Sequence, residues 1–153
     1  MKVNLENQVA LVTGAARGIG QAIADRLASN GARVVYADID LDTARQSATK
    51  YPGSLALRRA GPRESEIDAA LSQIHQECGR LDLLVNNAGV NTLAHRVNID
   101  QFPTDEWERI LRVDLTGLFQ VSRAVARIML GQKSGRIINI SSVLGLVPAR
   151  LQC

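Results

Sequence analysis

Short apolar, β-branched runs alternate along the chain with longer segments whose apolar residues recur every three or four positions. Val9–Val12, Arg33–Ala37, Ser54–Leu57, Leu81–Val85 and Arg136–Ile140 predict five strands. Between them, Ile19, Ile23 and Leu27 predict one amphipathic helix, and Ile67, Ala70, Leu71, Ile74 and Cys78 another. A long third helix runs from Trp107 towards Leu130. Asn30-Gly31 reads as the C-cap of the first. Thr104, after Pro103, reads as the N-cap of the long one, with Asp105 and Glu106 in its first turn. Strands that are apolar throughout predict a parallel sheet covered on both faces, hence an α/β, doubly wound chain of alternating strands and helices. The alternation requires a helix between the second and third strands, and no residues are assigned to it.

Composition narrows the picture. At 153 residues the chain suits one domain, and 46% apolar with 22% charged residues excludes a disordered tail. The aromatic content of 3% is low for a protein that stacks bases, and the arginines behind the net charge of +3 are scattered among carboxylates. A nucleic-acid partner is therefore not expected. Cys78 and Cys153 have neither disulfide-framework nor metal spacing, so no metal is expected. The start is too polar for a signal peptide, and no apolar run could span a membrane. The cytoplasm is the expected address.

The first strand is followed by Thr13-Gly14-Ala15-Ala16-Arg17-Gly18-Ile19-Gly20. Glycines here permit a tight strand-to-helix turn, close approach of a pyrophosphate and close packing of helix on strand. Unpaired N–H groups at a helix N-terminus favour an anion there. By itself such a loop could equally be a plain tight turn. The second strand, however, ends in Asp38, near the spacing at which a carboxylate would take ribose hydroxyls, although a solvated strand-end acid is the bland alternative. Together the two features favour a dinucleotide. Asp114 falls on the apolar stripe of Ile110, Gly117, Val121 and Val125. A carboxylate there is either functional or caps local backbone where the helix bends.

With these residues in place, the chain resembles the short-chain dehydrogenase/reductase family, of the kind containing 3-oxoacyl-carrier-protein reductases and sugar or polyol dehydrogenases. Thr13 to Gly20 fits the family's Thr-Gly-x-x-x-Gly-x-Gly loop, Asn86-Asn87-Ala88-Gly89 its Asn-Asn-Ala-Gly, and Gly135 to Gly145 its Gly-x-Ile-x-Asn-x-Ser-Ser-x-x-Gly. The resemblance implies a Rossmann-like sheet of strand order 3-2-1-4-5 across residues 1–153, with the C-terminal part of the family domain missing. It implies that Gly14, Arg17, Gly18, Ile19 and Gly20 wrap the pyrophosphate and that Asp38 holds the ribose. Asn87, Ala88 and Gly89 would line the cofactor, with Asn87 also bracing the central strands. Ser142 matches the catalytic serine, and Asp114 stands where the family often has asparagine. The cofactor implied is NAD, with NADP disfavoured by Asp38 although Arg17 pulls the other way.

The activity implied is hydride transfer between nicotinamide and a secondary alcohol or ketone, in a homodimer or homotetramer when full-length. The family's proton donor is a tyrosine in Tyr-x-x-x-Lys, and its place falls two positions past Cys153. Neither Tyr36 nor Tyr51 has a lysine four residues on. The chain is thus expected to be a fragment, catalytically incomplete alone. The alternative is a non-catalytic dinucleotide-binding module acting by association with full-length relatives. Another Rossmann-like class, such as a methyltransferase or nucleotide-sugar epimerase, fits the glycine spacing and Asn86–Gly89 less well. Ala60 replaces the family's adenine-contacting aspartate. Trp107 is expected to pack in the core, His75 to be solvated, His95 to lie in a loop that could face substrate, and Cys78 to be buried and inert.

Overall fold

The computed structural model describes residues 3–58, 63–92 and 96–147. Five strands, β1 (Val9–Thr13), β2 (Arg33–Asp38), β3 (Leu55–Arg58), β4 (Leu83–Asn86) and β5 (Arg136–Asn139), form one sheet of order β3-β2-β1-β4-β5. Every pairing is parallel, as the apolar strands predict. The helices are α1 (Gly18–Ala28), α2 (Leu41–Ala48), α3 (Glu64–Cys78), α4 (Thr104–Leu111) and α5 (Leu118–Gln132).

Alternate strand residues feed two cores, because successive side chains leave a strand on opposite faces. Val9, Leu11, Val35 and Leu84 pack with Ile67, Leu71 and Ile74 of α3 and with Val121, Val125 and Met129 of α5. Ala10, Val12, Val34, Tyr36 and Val85 pack with Ala24 of α1 and with Ala44 and Ala48 of α2. β1, central in the sheet, is buried along its whole length, whereas β5 is exposed along its whole length. No helix among the described residues is long and apolar enough to cross a membrane.

Four local expectations need correction. β4 starts at Leu83 rather than Leu81, because the Gln132 side chain takes the Leu81 backbone: the Leu81 N–H donates to its Oε1 at 3.0 Å, and its Nε2 donates to the Leu81 carbonyl at 2.9 Å. Thr104 is not an N-cap. The extended residue before α4 is Pro103, whose carbonyl accepts the Trp107 N–H at 3.1 Å, so Thr104 is already helical. The long helix is interrupted between α4 and α5 by a π-turn over Arg112–Gly117. Trp107 is 46% exposed rather than core, since α4 buries none of its residues. The turn after α1 does close at Asn30-Gly31, where Gly31 takes φ +98° and donates its N–H to the Ala28 carbonyl at 3.0 Å.

Candidate functional site

The carboxyl ends of β1, β2 and β4 open onto a cavity of about 440 Å³. In an open α/β sheet this end is where ligands bind. Two glycines decide its shape. Gly14 takes φ +67°, and a Cβ there would lie 2.9 Å from the Ala88 Cα. At Gly20 a Cβ would lie 2.1 Å from the Gly14 carbonyl oxygen and 2.4 Å from the Asn87 Nδ2. Only backbone without side chains lets the β1–α1 loop and the Asn87-Ala88 segment come this close.

Hydrogen bonds fix that approach. The Thr13 hydroxyl oxygen accepts the N–H groups of Asn87 and Ala88, each at 3.1 Å. The Asn87 Nδ2 donates back to the carbonyls of Thr13 at 3.1 Å and Gly14 at 3.2 Å. Bracing is shared with its neighbour: the Asn86 Nδ2 donates to Asn139 Oδ1 on β5 at 2.9 Å and to Ser122 Oγ on α5 at 2.8 Å.

Asp38, only 9% exposed, ends β2 at the cavity. Its Oδ2 accepts the Ala16 N–H at 2.9 Å and its Oδ1 the Asp40 N–H at 3.0 Å. The backbone thus holds the carboxylate in place while each oxygen keeps a second acceptor site. Asp40 in turn caps α2, accepting the Thr43 hydroxyl at 2.8 Å and the Thr43 N–H at 3.1 Å. Those two bonds hold its carboxyl below the ordinary range, with Arg17 adding a smaller pull.

The cavity brings together Gly14, Arg17, Ile19, Gly20, Asp38, Asn87, Ala88 and Gly89. Gly18 does not line it; its φ of +60° serves the turn into α1. The sequence reading missed Ile39, Val90, Arg112 and Val113, which complete the walls. Ser142 and Asp114 are not among the lining residues. Ser142 lies past β5, where its Oγ accepts the Leu144 N–H at 3.2 Å and caps a short turn.

Asp114 sits inside the π-turn and reaches out of its own helix, its Oδ1 accepting the Val90 N–H at 2.8 Å. It therefore caps backbone, as one of the two readings held, but the backbone of the cavity-lining segment rather than that of its own helix. Burial raises its pKa above the ordinary carboxyl value, with the Val90 N–H and Arg109 opposing. Arg109, paired with Glu106, also donates to the Asn91 carbonyl at 3.3 Å.

The remaining candidates carry less. Tyr36 is buried, its hydroxyl donates to Asp25 Oδ1 at 2.9 Å, burial pushes its pKa far up, and it is not among the residues lining the cavity. His75 is exposed. Cys78 is partly rather than fully buried, and that burial raises its thiol pKa, consistent with low reactivity. Ala60, His95 and Cys153 lie outside the described residues. Among the described residues no three His, Cys, Asp or Glu side chains gather into a metal site.

Comparison with known proteins bears on the same loops. The chain is 42% identical over 148 residues to the 3-oxoacyl-[acyl-carrier-protein] reductase FabG of Vibrio cholerae serotype O1, covering 94% of this chain and 58% of that protein. The crystal structure of gox2181 superposes with a TM-score of 0.90 at 33% identity, over 96% of this chain and 58% of that one. A structure described as ribose-5-phosphate isomerase from Brucella melitensis 16M gives 0.89 at 31% identity, over 99% and 58%. The chain thus spans somewhat over half the length of these relatives. Short chain dehydrogenase is the family whose pattern matches, over residues 8–153. That span takes in the glycine loop, Asp38 and the Asn86–Gly89 segment, and the chain belongs to the short chain dehydrogenase family.

Proposed function

We propose that this chain is the cofactor-binding part of an NAD-dependent oxidoreductase acting on a secondary alcohol or ketone, of sugar, polyol or 3-oxoacyl type. Since a similar fold occurs in a protein described as an isomerase, the reading rests on the site and not on the fold. The observation that carries it is the fixed Asp38 carboxylate at a cavity whose loops approach only because Gly14 and Gly20 have no Cβ.

The residues fit a dinucleotide. N–H groups in the first turn of α1 have no partners within the helix, and their dipole favours the pyrophosphate, with Arg17 beside them. Asp38 can accept both hydroxyls of a free ribose diol, while a 2′-phosphate would meet a like charge. Asn87, Ala88 and Gly89 line the same cavity beside that loop. When bound, the nicotinamide would accept or donate the hydride. The protein's part is to orient it and manage the alcohol proton, and Ser142 is proposed to steady the substrate oxygen.

These 153 residues contain no tyrosine with a lysine four positions on, the pair to which the resemblance assigns proton transfer. General acid/base help is worth roughly 10²–10⁴-fold. The 153-residue chain alone is therefore proposed to bind cofactor without measurable turnover, and a longer form to act as a homodimer or homotetramer. Titration with NAD+ and NADP+ in parallel tests the cofactor choice. Tighter binding of NAD+ is expected, and tighter binding of NADP+ would reverse the assignment.

A further inference from the structure

The cofactor cavity holds a second arginine that neither its sequence context nor the family motifs single out. Arg112 opens the π-turn between α4 and α5 and lines the cavity beside Val113. Glu108 stands one helical turn earlier, the spacing at which an arginine and a carboxylate ordinarily pair. Arg109, three residues back, does pair with Glu106. Arg112 does not. Among the described residues it makes no side-chain hydrogen bond or ion pair, and Asp114, two residues on, is bonded to Val90.

The other walls already have occupants under the reading above. The α1 N-terminus and Arg17 serve the pyrophosphate, and Asp38 serves the ribose. Val90, Arg112, Val113 and the exposed Ile39, which directly follows Asp38, remain: three aliphatic surfaces and one planar cation. A guanidinium is donor-only, stacks on aromatic faces and is weakly hydrated. A purine offers a π-face and ring nitrogens that only accept. We propose that Arg112 is a cofactor-contact residue whose guanidinium lies against the adenine base, within the dinucleotide site assigned above and resting on that assignment.

The test uses the 153-residue chain and its Arg112→Ala and Arg112→Met variants, titrated by NMR with NAD+, NADP+, AMP, adenosine and nicotinamide mononucleotide. Arg112→Ala is expected to weaken NAD+, AMP and adenosine alike by about 3- to 30-fold, the range of a cation over an aromatic face, and to leave nicotinamide mononucleotide unchanged. Arg112→Met, which keeps the aliphatic stem, guards against a folding defect and should show the same pattern with an unchanged thermal melt. Three results would overturn the proposal while leaving the dinucleotide site intact. They are unchanged NAD+ affinity, a loss that spares adenosine but extends to nicotinamide mononucleotide (a phosphate contact), and a loss far larger for NADP+ than for NAD+ (a 2′-phosphate contact). A wild-type chain that binds neither NAD+ nor AMP would remove the cofactor reading itself, and this inference with it.

Discussion

Asp114 and Val90 are joined at 2.8 Å, a carboxylate in the π-turn of the long helix accepting the backbone N–H of the segment that walls the cavity. A π-turn admits one extra residue per turn, and such turns recur at functional sites. Arg109 holds the next residue, Asn91, from the same helix. The helix thus clasps the segment that follows β4 at two successive residues.

Removing the acceptor should loosen that clasp. Asp114→Leu leaves the part-buried Val90 N–H without a partner, which costs about 1–3 kcal/mol. Asp114→Asn keeps an acceptor and removes the charge. Burial raises the Asp114 pKa, so the folded chain holds that proton more tightly than the unfolded chain does. Wild-type stability relative to Asp114→Asn is therefore greatest in acid, falls as pH rises through the window between the two pKa values, and is flat above it. Urea melts of both proteins across the acid-to-neutral range should show wild-type stability minus that of Asp114→Asn decreasing as pH rises. A gain in wild-type stability relative to Asp114→Asn on raising pH would contradict the assignment.

Asp82 should show the opposite slope. Its side chain is 9% exposed, and its Oδ2 accepts the Val9 N–H at 2.9 Å where β1 begins. Burial pushes its carboxyl up, but the Arg80 guanidinium and the Val9 N–H together outweigh it and leave the pKa lowered. Its stabilisation is present above the unfolded pKa and lost as pH falls through the folded one. Asp82→Asn should cost about 1–3 kcal/mol at neutral pH and little in acid, read from the same urea melts.

Gly20→Ala should damage fold and site together. The new Cβ would press on the Gly14 carbonyl at 2.1 Å, and overpacking of this kind costs about 1–3 kcal/mol or more. A lower melting temperature with weakened NAD+ binding is the expected result. Gly53→Ala is the contrast, because a Cβ there meets nothing within 4 Å and only its φ of +82° is strained. It should lower the melt modestly and leave binding alone.

β5 should drive self-association of the 153-residue chain. All four of its residues are exposed, Ile137 and Ile138 at 36% and 40%, and Leu144, Leu146 and Val147 follow in the open. An apolar strand on a free edge is a template for pairing. Light scattering across a concentration series should show growing mass, reduced by Ile138→Lys. A monomer at every concentration would show that the edge is inert.

How far the sequence could be read follows from how local each signal is. Gly14, Gly20, Asp38 and Asn87 sit in short motifs at strand ends, where spacing alone assigns them to one end of a parallel sheet, and the cavity gathers all four. α2 had no assigned residues because its buried positions are Ala44, Ser47 and Ala48, too small and polar to print an apolar stripe. Its available signal was the Asp40 cap with Thr43 three residues on. The π-turn left no trace in the apolar spacing, since Gly117, Val121 and Val125 continue the helical stripe regardless. With the turn unseen, Arg112 and Val113 could not be placed at the cavity, nor Asp114 against Val90.

The central claim is that the cavity at the ends of β1, β2 and β4 binds a nicotinamide dinucleotide. Amide chemical-shift mapping of the labelled chain during NAD+ titration tests it most directly. Saturable shifts concentrated at Gly14–Gly20, Asp38–Ile39 and Asn87–Val90, abolished by Asp38→Ala, are the predicted result. Absence of saturable shifts, or shifts centred on the opposite end of the sheet around Asn30 and Arg80, would contradict it.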